Sequence, residues 1–213
     1  MEQHILQQSL YLDIGLNIAQ INTIFGHSSD IVTGELCLDA EANYKIGYVY
    51  LEQLVNNSAF QDVTNALLSG SAQLIETINT GFYHPPDLIR NTIHACGKVQ
   101  TIEDFHGLCQ NMLTGETVIL IDGYAIALSV NTAGGDMRSV EEPSTQSVVR
   151  GPRDGFTESI GTNISLIRKR IKSPNLWLET MAIGRVTQTT VSIMYINGIV
   201  NDKIVEEIHR RLA

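Results

Sequence analysis

Residues 45–63 read KIGYVYLEQLVNNSAFQDV, and residues 190–208 read TVSIMYINGIVNDKIVEEI. Each stretch opens on β-branched and aromatic residues that suit a pleated strand. Each then breaks at polar residues and resumes with apolar residues three to four apart, the spacing of one helix face. Sliding the chain by 145 positions superposes them. Tyr50 meets Tyr195, Leu51 meets Ile196, Val55 meets Val200, Asn56 meets Asn201, Asn57 meets Asp202, Phe60 meets Val205 and Val63 meets Ile208. Both stretches read strand, Asn cap, amphipathic helix. Two such units far apart in sequence predict an α/β fold of two small lobes, with mixed sheets packed against helices. Few of the matches are identities, so duplication and convergence on a common β–cap–α pattern both stay open.

Working outward, Leu10, Ile14, Ile18, Ile21 and Phe25 give an opening helix one apolar face, with Gly26 as its stop. Ile31 to Asp39 is a further strand. Ser58 is placed to cap the helix that carries Phe60, Val63, Leu67 and Leu68. His84-Pro85-Pro86 forces extended backbone, after which Asp87 can cap a helix through Leu88, Ile89 and Ile93. Thr101 to Leu113 has helical spacing at Ile102, Phe105, Leu108 and Met112.

Thr117 to Ile121, Asp122-Gly123 and Tyr124 to Val130 read as strand, tight turn, strand, because Asp-Gly suits a type I′ turn. The runs VILI and AIAL are apolar almost throughout, which predicts a hairpin buried on both faces. Residues 131–147 form a polar connection. Pro152 then opens a helix expected over 152–172, with Phe156, Ile160, Ile164, Ile167 and Ile171 as its apolar stripe. Asn163 and Arg170 fall on one flank of that stripe, Arg168 on the other, and Glu158 opposite. The division that results is an N-terminal helical segment (1–30), a first lobe with a helical insert (31–113) and a second lobe (114–213) that includes the helix over 152–172.

The 213 residues carry 14 Lys and Arg against 23 Asp and Glu, for a net charge of −9, and are 43% hydrophobic. That composition supports a packed core and excludes wholesale disorder. It disfavours a general nucleic-acid-binding role, which calls for a basic excess. No apolar run approaches the roughly 20 residues that span a bilayer, and no secretory signal opens the chain. Three cysteines, Cys37, Cys96 and Cys109, suit a reducing compartment.

Several candidate chemistries each have a plainer reading. His94-x-Cys96 and His106-x-x-Cys109 offer four zinc-capable side chains, but neither half is a C-x-x-C, and a buried thiol with surface histidines is the favoured reading. No G-x-S-x-G, cysteine-protease signature or nucleotide-binding glycine motif occurs. The reading is therefore a chain that is not an enzyme and holds no cofactor or metal. Between Arg150 and Lys172 there are six basic residues against Asp154 and Glu158. The plain reading is a solvated helix face. Arg168 and Arg170, however, flank the apolar stripe, where a guanidinium can bind a carboxylate or backbone carbonyls across a lobe interface.

The segment Arg150-Gly151-Pro152-Arg153-Asp154-Gly155-Phe156-Thr157-Glu158-Ser159, with Thr162-Asn163, Leu166-Ile167-Arg168-Lys169-Arg170-Ile171 and Pro174-Asn175-Leu176 after it, resembles the hallmark of the A subunit of bacterial spore nutrient-germinant receptors, the GerA family. Phe25-Gly26-His27-Ser28-Ser29-Asp30 resembles the start of that family's domain, and Leu113-Thr114-Gly115-Glu116 leading to Leu120-Ile121-Asp122-Gly123 its hairpin. The resemblance runs from about Leu16 to the end. Gln146 departs from an expected acidic residue, and the loop from Val130 to Asp136 lacks an expected aromatic. The family's transmembrane bundle is expected after this segment.

The resemblance implies a non-catalytic N-terminal domain on the cytoplasmic, spore-core side of the inner membrane. It would work with its own transmembrane domain and with receptor B and C subunits, with a small nutrient (amino acid, sugar or nucleoside) as a further candidate ligand. Arg150, Gly151, Pro152, Arg153, Phe156, Glu158, Asn163, Arg168 and Arg170 are the residues expected to hold the hallmark in place and carry coupling.

Overall fold

The computed structural model describes residues 6–39, 44–134 and 155–212. Helix α1 (Ile14–Ile24) leads into strands β1 (Ile31–Cys37) and β2 (Lys45–Leu51), and a short 3₁₀ turn (Glu52–Leu54) joins these to α2 (Asn57–Ser69). Helices α3 (Ser71–Asn79) and α4 (Pro85–Ile93), strand β3 (Val99–Ile102) and helix α5 (Phe105–Leu113) follow. Then come β4 (Thr117–Ile121), β5 (Ala127–Val130), α6 (Ile160–Arg170), β6 (Leu176–Ile183), β7 (Thr189–Ile196) and α7 (Asp202–Leu212). The α/β expectation holds, with both sheets antiparallel throughout rather than mixed.

One sheet runs β1-β2-β4-β5-β3 and the other is the β6–β7 pair. The hairpin of 117–130 therefore lies in the middle of the first sheet, so the expected boundary at 113/114 cuts through a continuous layer. The physical reason is the two-sided burial. Val118 and Leu120 pack with α1 and α5 (Ile14, Ile21, Phe105, Leu108), while Ile119 and Ile121 pack with α2 and α4 (Val63, Leu67, Ile89, Ile93). Every residue of β4 and β5 is buried, which is why both runs are apolar without alternation.

Local chemistry departs from expectation at several points. The β4–β5 link is not a two-residue I′ turn: β5 begins only at Ala127, and Gly123 (φ +80°) alone has a positive φ. The turn is instead pinned from outside, with Gly123 N–H donating to Leu12 C=O (2.9 Å) and Asp122 N–H to Lys45 C=O (3.3 Å). Asn56, not Ser58, caps α2, accepting from Ser58 and Ala59 N–H. His84 is the N-cap of α4, with proline in its first turn and Asp87 inside the helix. Thr101 and Ile102 belong to β3, and Asp104 caps the shorter α5 through Gly107 N–H (2.7 Å).

The helix expected over 152–172 spans Ile160–Arg170, and residues 155–159 are not helical. Ser159 sits in extended backbone and its Oγ accepts from Thr162 N–H, which sets the helix start there. Phe156 is consequently outside the helix and 73% exposed, so it is no part of a buried stripe. The face that is buried carries Thr162, Ile164, Ser165 and Arg168.

Candidate functional site

Among the described residues, α6 and β6 meet the turn between α1 and β1 in a cluster of buried polar contacts. The α1 helix ends at Gly26 (φ +61°), and His27 (φ +54°) continues the left-handed turn, reversing the chain into Ser28-Ser29-Asp30. Any side chain at residue 26 would overlap the Trp177 ring, which lies flat against the glycine. The two serines then hold β6. Ser28 Oγ donates to Phe25 C=O (2.7 Å) and accepts from Leu178 N–H (3.0 Å), Ser29 N–H donates to Leu178 C=O (2.9 Å), and Ser29 Oγ accepts from Thr180 N–H (3.0 Å).

Asp30 lies at the centre. Its carboxylate accepts from Arg168 Nε (2.9 Å) and Nη2 (2.8 Å), while Arg168 Nη1 donates to Leu176 C=O (2.6 Å) at the start of β6. Arg168 is 0% exposed and Asp30 is 2% exposed. One guanidinium thus ties α6, the α1–β1 turn and β6 together. Its planar fork suits two parallel bonds to a carboxylate, a geometry an ammonium does not reproduce. Removing either partner would leave a charge buried without compensation, at a cost of about 3–5 kcal/mol. Asp30 C=O also accepts from Glu52 N–H (2.9 Å), which links the join to the 3₁₀ turn.

Asn163 plays a separate role that the stripe geometry did not reveal. Its Oδ1 accepts from Thr157 N–H (2.7 Å) and its Nδ2 donates to Thr157 C=O (2.8 Å), bracketing the backbone ahead of α6. Arg170 and Glu158 are exposed. Arg150, Gly151, Pro152 and Arg153 lie outside the described residues. Of the expected hallmark residues, then, Arg168 is at the join and Asn163 supports its helix. Asp122 and Gly123 form the β4–β5 turn at the Lys45 end of β2, the far end from Leu51 and away from the join.

Asp30, Ser28, Ser29 and Trp177 build the join but are not among the site residues expected from the sequence. The available signal was the run of small polar residues and an acid directly after a helix-stopping glycine and before an apolar strand.

Two further features border the join. A polar cleft of about 320 Å³ is lined by Glu52, Gln53, Asn56, Asn57, Ser58 and Gly161. At the far side of β6, Glu179 accepts from the Tyr195 hydroxyl (2.5 Å), and His209 of α7 approaches its other oxygen at 2.7 Å. Burial, then the hydrogen bond to Glu179 and the charges of Glu179 and Asp202, push the Tyr195 phenol up to about 12. Cys109 is buried, Cys37 is exposed, and Cys96 Sγ faces Asp62 C=O at 3.6 Å. Among the described residues no group of three or more His, Cys, Asp or Glu is placed to hold a metal ion. No helix among them is long and apolar enough to cross a membrane.

A family model described as Bacillus/Clostridium GerA spore germination protein matches residues 19–213. The chain is 37% identical over 196 residues to Spore germination protein KA of Bacillus subtilis (strain 168), a match that covers 92% of this chain and 35% of that protein. It is 32% identical over 164 residues to Uncharacterized membrane protein YfkQ of the same organism, covering 77% of this chain and 31% of that protein. The fold matches the crystal structure of the N-terminal domain of the A subunit of the Bacillus megaterium spore germinant receptor GerK3. The TM-score is 0.75 at 35% identity, over 96% of this chain and 72% of that one. The chain thus spans about a third of the length of these curated relatives.

Proposed function

Because this chain belongs to the GerA family of spore germination proteins, we propose that it is a non-catalytic coupling domain of a germinant-receptor A subunit. In this reading it stands on the cytoplasmic side of the spore inner membrane. A change sensed elsewhere in the receptor passes through it to the subunit's own membrane part and to the B and C subunits. The observation that carries the reading is the buried Arg168–Asp30 pair with its third bond to Leu176. A join held by one bidentate charge pair and a few serine bonds is a discrete arrangement. Such joins are remade or broken as units and do not deform gradually, which is what a two-state element requires.

The second reading is a nutrient-binding module. The polar cleft beside Asn56 and Gly161 favours it, because hydrogen-bonding groups converge there. Against it, Val55 is the one apolar side chain among the residues that line the cleft, which leaves a small ligand little apolar enclosure. Ligand-observed NMR of this domain with pooled amino acids, sugars and nucleosides separates the two. Coupling expects no saturable signal at millimolar ligand from a folded sample. A hit abolished by excess competitor would overturn coupling in favour of nutrient binding in the cleft.

A further inference from the structure

We propose that the outer edge of β7 accepts one more strand, antiparallel and apolar, supplied by polypeptide that follows α7. The argument starts from a repeat that reaches well beyond residues 45–63 and 190–208. Strands β1 and β2 pair with Ile31 opposite Leu51 and Cys37 opposite Lys45. Strands β6 and β7 pair with Leu176 opposite Ile196 and Ala182 opposite Thr190. All four positions in the second hairpin are displaced from the first by the same 145 residues, so the two hairpins share one register.

The flanking turns follow the same displacement. Ile31 N–H donates to Ser28 C=O (3.1 Å) and Leu176 N–H to Ser173 C=O (3.2 Å). Glu52 N–H donates to Asp30 C=O (2.9 Å) and Asn197 N–H to Asn175 C=O (2.8 Å). Asn56 accepts from Ser58 N–H (2.9 Å) and Asn201 from Lys203 N–H (3.1 Å), and α2 and α7 begin at Asn57 and Asp202.

The helices ahead of the hairpins match as well, at a displacement of 146 residues, one more than that of the hairpins. Asn17 brackets the backbone of Tyr11 (2.9 and 2.8 Å) as Asn163 brackets that of Thr157, each six residues upstream. Asp13 and Ser159 cap the two helices by accepting from Leu16 and Thr162 N–H. A bare strand–cap–helix pattern does not require any of this, since a slip of one residue would put every side chain on the opposite face. The chain holds one α–β–β–α unit twice.

The copies differ in what lies beyond the second strand. In the first, β4 adds to β2, with Ile46 opposite Ile121 and Val49 opposite Val118, and these β2 residues are 1% and 0% exposed. In the second, their counterparts Val191 and Met194 have no strand beyond them among the described residues and are only half-buried. An eight-residue strand with an open row of N–H and C=O groups is a template for pairing. Its apolar Val191, Ile193 and Met194 call for an apolar partner, as β2 takes the TVILI run of β4.

Chain order assigns the source. β4 follows α2 in sequence, so its counterpart follows α7. Relatives are longer than the part matched here: this chain covers 72% of the solved N-terminal domain and 35% of Spore germination protein KA.

The test is amide hydrogen exchange on the 213-residue chain at two concentrations tenfold apart, and on the same chain continued through the rest of its N-terminal domain. The proposal expects the outward-facing amides of β7 to exchange at least about 100-fold more slowly in the longer chain, and at a concentration-independent rate in the shorter one. Unchanged exchange in the longer chain would overturn it. So would protection of the shorter chain that grows with concentration, which would give the edge to a second copy.

Discussion

Arg168 and Asp30, 138 residues apart in the chain, meet through two parallel hydrogen bonds in a site closed to solvent. Neither residue has water to fall back on. Arg168→Ala or Asp30→Ala alone should therefore cost about 3–5 kcal/mol in urea unfolding. Replacing both, as Asp30→Leu with Arg168→Met, should cost clearly less than either single change, because no charge is left buried. Additive losses would mean that the pair acts as two independent contacts.

Gly26 carries a second test of the same join. Ala at residue 26 must adopt a left-handed φ, at about 1–2 kcal/mol, and must also push aside the Trp177 ring. The expected result is a loss above 2 kcal/mol with a shifted Trp177 emission, and a smaller stability loss from the same Gly26→Ala change in a Trp177→Ala background. Since Trp177 is the only tryptophan, the fluorescence reports on its surroundings, which include Gly26 and the Tyr195 ring.

Much of the scaffold was legible beforehand, and the site was not. The α/β class, the buried 117–130 hairpin and the Asn56 and Asn201 caps follow from period and cap chemistry, both of which act within a few residues. Asp30 as the partner of Arg168 depends on a tertiary contact that no local pattern encodes. The stripe from Phe156 to Ile171 failed for a related reason: spacing shows which residues share a face, but Ser159 decides where the helix begins. β3 was hidden because its four residues run into α5 at helical spacing.

The cysteines separate by environment. Burial, and then the charge of Asp104, push the Cys109 thiol up to about 12, whereas Cys37 is exposed. A thiolate-seeking reagent at pH 8 should label Cys37 within minutes and Cys109 only on unfolding. The raised value also gives the direction of a pH effect. The thiol is protonated in both states below its ordinary value of 9.0, so its contribution to stability is complete there. That contribution declines as pH rises toward about 12, because the unfolded chain ionises first. Cys109→Ala should flatten the alkaline side of the stability profile.

Asn163 offers a milder probe. Asn163→Ala removes both bonds to Thr157 and leaves the Arg168 pair untouched, so a loss of about 1 kcal/mol is expected. Asn17→Ala should match it within a few tenths of a kcal/mol, since the bracket on Tyr11 is built the same way. Thermal unfolding of the two variants side by side checks both.

The most direct test of coupling puts the Asp30→Leu, Arg168→Met pair into the full-length subunit and follows germination of spores against nutrient concentration. The join is then rebuilt without charge, while the fold and the polar cleft are retained. Coupling expects a germination rate at saturating nutrient at least tenfold lower, with the order of preferred nutrients and the half-saturating concentrations unchanged. A full maximal rate, or a changed nutrient preference with normal receptor levels, would contradict it.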